Sequence, residues 1–285
     1  MLIAGLWTTM RPIRDPSHMN SPLYLFNSAL RNRELIRLLI QQDIVGRYRG
    51  SLFGVFWAFI HPLFMLSVYT MVFGIFFQAK WGNTGSTWEF ALILFSGLII
   101  FNLFSECLMR APALVANNPN FVKKVIFPLE ILPFVSTGSA LFHSIVSIVA
   151  WLCFYVSIKG LPSISILYLP LILLIFLPTI LGISWFLAAA AVYFKDISQI
   201  MGMATQAFLF LSPVFYSMQL VPESFRWIMR LNPLTLIIEQ ARIVMLAGGT
   251  PDFGSLALYA IISLAICWGG FVFFQRLRVS FADVV

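Results

Sequence analysis

Arg47, Tyr48 and Arg49 stand directly before a run that carries no charged residue until Lys80. Two guanidinium groups at that point can meet lipid headgroups just before the backbone enters hydrocarbon. Other groups capable of chemistry are few and scattered. His18, His61 and His143 are far apart and lack the HExxH or HxH context of a metal site. Cys107, Cys153 and Cys267 lie in or beside apolar runs without metal-ligand spacing and read as small buried hydrophobes. No glycine is followed by Lys-Ser or Lys-Thr, so there is no Walker A loop to cradle ATP phosphates, and the chain is not read as an ATPase of that kind. Acidic residues occur singly, whereas a transferase acting on polyprenyl lipids needs them clustered around a metal or base.

Two ionisable groups in the apolar runs call for a reading. His143 lies among Ser136, Ser139, Ser144 and Ser147. An ionisable group inside a span is a functional hypothesis by default, but a neutral imidazole bonded to a neighbouring serine or carbonyl is the simpler account. Glu106 sits near one end of its run, too close to the edge for the mid-depth charge pair of a secondary transporter.

Aromatic residues form 16% of the chain, with 29 Phe and eight each of Trp and Tyr. Trp81, Trp88 and Trp227 suit an interfacial aromatic belt. Aromatic faces also stack on the apolar C–H faces of sugars without demanding one hydroxyl pattern, which suits a path along which a polymer slides. Phe56, Trp57, Tyr69 and Phe73 in the first apolar run, and Phe208, Phe210, Phe215 and Tyr216 in the fifth, are candidate lining. For any one of them, packing is the simpler reading.

The elements that must position these residues follow from composition. Sixty per cent hydrophobic and 10% charged residues in a chain of 285 exclude a soluble domain and predict an all-α integral membrane protein. The net charge of +7 is carried by residues flanking apolar runs, so topology and anionic lipid account for it and no nucleic-acid partner is expected. Met1 to Trp7 is a very short apolar piece placed before Arg11 and Arg14, the reverse of an export signal, so no cleaved leader is expected. Residues 1–22 read as a tail, and 23–285 as one transmembrane domain.

Within that domain, apolar residues at helical spacing over 24–45, interleaved with Arg31, Arg33, Glu34, Arg37 and Asp43, predict an amphipathic helix lying along the membrane interface. Six spans are expected at about 51–79, 89–110, 131–158, 168–193, 197–216 and 253–275, with Pro178 as a kink in the fourth. Six crossings put both termini on one side. Thirteen Lys and Arg then lie with the termini and five opposite, which predicts N-in, C-in. No repeat of equal halves is evident, against a secondary transporter built from inverted repeats.

Between the fifth and sixth spans, Ser217 to Asp252 is too charged to cross. Pro222-Glu223 and Asn232-Pro233 mark two helix starts, with Asn232 as N-cap, and Gly248-Gly249 ends the second. Two short re-entrant helices at about 222–247 satisfy this pattern, with Thr235, Glu239 and Arg242 on one face.

Three stretches, VGRYRGSLFGVFWAFIHPLFMLSVYTMVFGIFF, NPNFVKKVIFPLEILP and NPLTLIIEQARIVMLAGG, resemble the transmembrane subunits of ABC-2 type exporters. Among these they look most like permeases exporting lipid-linked O-antigen, capsule or teichoic-acid polysaccharide. The resemblance covers roughly residues 30–278. It implies a homodimeric permease in the bacterial inner membrane, docked on two copies of an ATP-binding subunit that carries the ATP and magnesium. It implies that a coupling helix at about 120–126, with Phe121, Lys123 and Lys124, meets that ATPase, although anchoring to anionic lipid explains the lysines equally well. Arg226, Arg230, Glu239 and Arg242 would belong to an outer gate. Arg47, Tyr48 and Arg49 would form an inner gate, where the arginines pair with the pyrophosphate of an undecaprenyl-linked polymer; positive-inside anchoring accounts for them as well. An exporter of lipid or drug with the same architecture is the alternative.

Overall fold

The computed structural model describes residues 22–76, 87–122 and 127–281. The tail up to residue 21, residues 77–79 of the first expected span, and Lys123 and Lys124 lie outside the described residues. Regular structure among the described residues is helical throughout. In chain order the α-helices are α1 (Pro22–Arg31), α2 (Arg33–Tyr48), α3 (Trp57–Tyr69), α4 (Thr87–Arg110), α5 (Ala113–Ala116), α6 (Pro119–Val122), α7 (Leu132–Lys159), α8 (Leu169–Tyr193), α9 (Ile197–Leu211), α10 (Glu223–Leu231), α11 (Pro233–Arg242) and α12 (Phe253–Arg278).

Five helical stretches are long and apolar enough to cross a membrane: 54–76, 88–110, 129–159, 164–193 and 253–278. They place the chain among multi-pass membrane proteins. α9 is shorter. The expected span at 197–216 is helical only over 15 residues, about 22 Å at 1.5 Å per residue. Pro213 explains the stop: its ring disfavours helical backbone at the preceding residue, and Ser212 is extended at φ −102°, ψ 149°.

α4 is the centre. It packs against α7, α8, α9 and α11, and 78% of its crossing length is buried inside the chain, against 17% for the first stretch. Trp151 of α7 donates to the Leu92 carbonyl of α4 at 3.0 Å, which gives a buried indole N–H the acceptor it needs. Running antiparallel to α4, α7 is also tied at its far end, where Lys159 meets Glu89 at 2.8 Å.

The closest helix pair is α8 with α12. A Cβ at Gly182 would collide with the Ile266 carbonyl oxygen, and one at Gly270 with the Gly182 carbonyl oxygen, so the two backbones touch because neither helix has a side chain there. Beside that contact Thr179 donates to Ser263 Oγ at 2.9 Å, and Ser263 donates to the Ile175 carbonyl at 2.9 Å. α8 continues through Pro178 as one helix.

At the near end, where α1 lies, Glu130 is 1% exposed and is matched on both sides. Arg278 of α12 donates to Glu130 Oε2 at 2.6 Å and Ser28 of α1 to Oε1 at 3.1 Å. The Trp185 indole reaches the Glu130 carbonyl at 3.1 Å. This carboxylate therefore ties the first and last helices to the start of α7. The expected single helix over 24–45 is interrupted at Asn32 (φ −99°, ψ 14°), whose side-chain amide donates to the Ser28 carbonyl at 2.9 Å in competition with regular helix geometry.

The α8–α12 contact predicts an asymmetry between adjacent glycines. Gly270→Leu drives a side chain into the α8 backbone and is expected to cost ~3 kcal/mol or prevent folding. Gly269→Leu, where an added Cβ meets nothing within 4 Å, is expected to be close to neutral. Thermal unfolding of the detergent-purified variants measures both, and equal behaviour would contradict the packing.

Candidate functional site

Helix α2 delivers its charged face to the end of α4. Ile40 of α2 occupies the space left by the missing side chain of Gly138 on α7, and this seat sets the register of α2. One turn on, Asp43 meets Arg110, whose Nη2 donates to Oδ1 at 2.6 Å and to Oδ2 at 2.7 Å. Four residues further, Arg47 Nη2 lies 2.7 Å from Glu106 Oε1. The arrangement is symmetric in kind. Each helix carries an acid followed four residues later by an arginine, and because α2 and α4 run antiparallel here, each acid finds the other helix's arginine. Arg110 also approaches Glu106 within its own helix at 3.5 Å.

His143 of α7 completes the network. Its Nδ1 lies 3.0 Å from Glu106 Oε2 and 3.1 Å from Oε1, and 3.2 Å from Arg47 Nη1. The expectation of a serine or carbonyl partner is therefore corrected: helix α4 brings a carboxylate to the imidazole, a stronger acceptor than either. Nε2 is buried with no partner among the described residues. The Tyr48 ring stands edge-on to the imidazole, with centroids 6.0 Å apart. Arg49 lies just past α2, exposed.

Burial alone raises the Asp43 carboxyl, but opposing interactions led by the hydrogen bond from Arg110, the Arg110 and Arg47 charges among them, hold its pKa below the ordinary carboxylate range. The two acids and two arginines balance when His143 is neutral, so the patch brings little net charge to the membrane edge. It is partly open, with the Arg47 side chain 39% exposed.

From Gly50 the chain turns into the first candidate span. Gly50 and Gly54 take φ of +84° and +53°, backbone that L-residues with side chains rarely adopt. Past this turn, Phe56 is 62% exposed and Trp57 is exposed too. Tyr69 and Phe73, by contrast, are partly buried and meet the segment after α9: Phe73 stacks on Phe215 at 5.1 Å and Tyr69 meets the same ring edge-on at 6.0 Å. Phe210 is exposed, 5.9 Å from Phe215. Phe208 packs inward against Phe104 at 5.7 Å. Tyr216 donates to the Phe210 carbonyl at 2.7 Å. The eight aromatic candidates thus divide, with three exposed and the others engaged in packing or bonding. After Tyr69 the first stretch continues as a π-helical turn, Thr70–Phe76, a wider winding that places Phe73 in the seam.

The residues expected at a gate bond mostly to backbone. Arg242 donates to the carbonyls of Pro213 and Val214, the latter at 2.7 Å, and to that of Ile93 at 3.4 Å. It ties α11 to α4 and to the turn after α9. Arg226 bonds the Val221 carbonyl at 2.9 Å and pairs with Glu223 at 3.6 Å. Arg230 is exposed and Glu239 half-buried. Asn232 caps α11 by accepting from the Leu234 N–H at 2.9 Å. At the near end Phe121 stacks on Phe127 at 4.1 Å, with ring planes 7° apart.

Asp43, Glu106, Arg110 and His143 are therefore the residues of the network that a reading of single segments misses as a group. The available signal is the repeated acid-x-x-x-Arg spacing at 43–47 and 106–110.

The family model of ABC-2 type transporters matches residues 34–246. O-antigen export system permease proteins RfbA are similar over nearly their whole length. The one from Myxococcus xanthus is 26% identical over 255 residues, 89% of this chain and 96% of its own. One from Klebsiella pneumoniae is 22% identical over 253 residues, 88% of this chain and 95% of its own.

The depressed Asp43 pKa sets the sign of an acid response. Its contribution to stability is present above the unfolded carboxylate value and lost as pH falls through the lower folded one. Arg110→Ala leaves Asp43 and Glu106 short of a cation and is expected to cost ~1–3 kcal/mol at pH 7; adding Asp43→Asn is expected to recover part of that loss. Thermal melts of the single and double variants between pH 3 and 7 check the coupling, and additive losses would refute it.

Proposed function

We propose that this chain, which belongs to the ABC-2 type transporter family, is the permease of an ATP-driven exporter that moves polysaccharide linked to undecaprenyl pyrophosphate, O-antigen first among such polymers, out of the cytoplasm. The family assignment makes it a membrane subunit that is not itself the ATPase and works with an ATP-binding subunit. In the proposal it acts as a homodimer with two such subunits in the bacterial inner membrane. Both termini face the cytoplasm, α9 with the turn after it completes a sixth crossing, and α10 and α11 enter and leave on the outer side.

The observation that carries the cargo class is similarity to O-antigen export permeases across nearly their full length. The physical arrangement is compatible. Arg47 stands at the near end, partly exposed, beside the face of the first span that the chain leaves uncovered. A diphosphate headgroup docking there meets a planar cation suited to phosphate oxygens, and the attached sugars then pass the aromatic faces of Phe56, Trp57 and Phe210 toward the seam at Phe215. The segment at about 120–126, with Phe121, Lys123 and Lys124, is the proposed contact for the ATP-binding subunit, and its Phe121 stands at the same end as Arg47. Nothing in this path demands one sugar, so the same geometry serves a lipid exporter if the conduit opens sideways to the bilayer.

Arg47→Gln combined with Arg49→Gln is expected to reduce surface polymer at least ~10-fold with normal insertion and normal co-purification of the ATP-binding subunit, the polymer accumulating on its lipid carrier inside the cell. Immunoblotting of surface and carrier-linked polymer in a strain lacking the native copy reads this out. Undiminished export would remove the arginines from the substrate path. Polymer normally exported in the absence of the chain would overturn the function itself.

A further inference from the structure

The hydrogen-bonding capacity of the Arg47 guanidinium is only partly used. Nη2 holds Glu106 at 2.7 Å, whereas Nη1 faces His143 Nδ1 at 3.2 Å, and that nitrogen also lies 3.0 and 3.1 Å from the Glu106 oxygens. One ring nitrogen carries either a proton or a lone pair, so it cannot donate to Glu106 and accept from Arg47 together. Nε2 decides between them. It is buried without a partner among the described residues. A proton placed there would bury an unpaired N–H and turn the Nδ1 lone pair toward a carboxylate. A proton on Nδ1 makes a charge-assisted bond to Glu106 and leaves only an unpaired acceptor inside. Neutral His143 therefore carries its proton on Nδ1, and Arg47 Nη1 abuts an N–H to which it has nothing to donate.

We propose that Glu106 and His143 are positioning residues for a phosphoryl-binding site on Arg47. Glu106 holds the guanidinium in reserve, and proton uptake by His143 weakens that hold so that a lipid-linked diphosphate takes its place. This rests on the reading of Arg47 as the inner contact for that headgroup. A second proton, on Nε2, makes the imidazolium a full counter-charge for Glu106 and a like charge 3.2 Å from Arg47, so the Arg47–Glu106 pair loses attraction and gains repulsion. Withdrawal of Arg47 toward a phosphate removes the repulsion and leaves Glu106 to the imidazolium, so anion binding and proton uptake support each other, and each must shift the other by the same factor.

The charged and titratable surroundings of His143 are few. From α2 come Asp43, which Arg110 engages, Arg47, and the Tyr48 ring. From α4 come Glu106, Arg110 and Cys107, the last bonded toward Thr137. α3 carries an exposed His61 and Tyr69, the latter in the aromatic seam. Glu130 is taken by Arg278, and Glu89 by Lys159 at the far end; Tyr193, at the end of α8, bonds the Leu277 carbonyl. Glu106 is the only carboxylate within hydrogen-bonding distance of the imidazole among the described residues.

The test measures farnesyl diphosphate binding to the full chain with its ATP-binding partner, in nanodiscs of neutral phosphatidylcholine, between pH 5.5 and 8. The unaltered protein is expected to bind about 3–10-fold more tightly at pH 6 than at pH 8, with proton uptake on binding, and His143→Gln is expected to lose most of that slope. Glu106→Gln, or Glu106→Asp should the first not insert, is expected to bind at least about 3-fold more tightly than the unaltered protein at pH 7.5. Arg47→Gln is expected to bind weakly at every pH. Free pyrophosphate should compete, and phosphatidylglycerol at equal charge should not. If Arg47→Gln binds normally, the inner-contact reading of Arg47 fails, and this inference with it. If Arg47→Gln binds weakly but His143→Gln keeps the full slope, or Glu106→Gln binds less tightly than the unaltered protein, that reading stands and the inference is overturned. Displacement by phosphatidylglycerol would make Arg47 a membrane anchor and overturn it as well.

Discussion

A carboxylate at the edge of a hydrocarbon layer has to be neutralised where it stands, because the low dielectric around it makes an unpaired charge costly. Glu106 is in that position, and the near end of the molecule is arranged around it. Arg47, Arg110 and His143 converge on it from three helices, and Asp43 balances the second arginine. Satisfying one carboxylate thereby fixes α2 against α4 and α7. The glycine turn after α2 then delivers the first candidate span beside them. A partly open ion pair of this kind contributes little net stability on its own. Its effect is on register, since antiparallel acid-x-x-x-Arg pairs match in one alignment and place like charges together when shifted by one turn.

The interior is unevenly distributed. α4 lies mostly inside the chain, and α8 meets α12 backbone to backbone at Gly182 and Gly270. The first candidate span leaves most of its surface uncovered, and α9 exposes Ile200, Met203, Phe210 and Leu211. In a membrane, lipid can cover such faces as readily as protein can, so exposure there carries no penalty of the kind it would carry in water. What distinguishes the first span is that its uncovered face begins at the polar network and ends at the aromatic seam around Phe215. Among the described residues a tightly packed part thus adjoins a part with few internal contacts, and the partly exposed network around Glu106 lies where the two meet.

The α10–α11 region shows how charged residues can be retained beside apolar helices without facing solvent. Arg242 reaches past its own helix to carbonyl groups at Pro213, Val214 and Ile93. Carbonyls at Pro213 and Val214 are left without helical partners because α9 stops at Leu211, and the guanidinium fork supplies several donors from one side chain. The break imposed by Pro213 and the position of Arg242 are therefore two parts of one solution. Arg242 thus acts as a strut, holding the turn in which Phe215 and Tyr216 are presented.

Composition and periodicity in the sequence alone determine that the chain is helical and membrane-embedded. Uncharged runs of span length leave hydrocarbon as their only compatible solvent, and Pro222, Asn232-Pro233 and Gly248 mark local helix ends through backbone constraints that need no distant partner. Motif order extends the same reading to the family, since three stretches of local character recur together. Tertiary structure decides the site. Glu106 is 59 residues from Arg47 and His143 is 37 residues beyond Glu106, and each taken alone has an adequate local explanation as an edge charge, an anchor or a serine-bonded imidazole. Their meeting depends on α2 running antiparallel to α4 and seating on Gly138, a long-range packing event that no local spacing encodes. The same reason divides the aromatic residues: Phe208 and Phe210 are two positions apart on one helix, and only the placement of α4 beside it packs one against the core and leaves the other exposed.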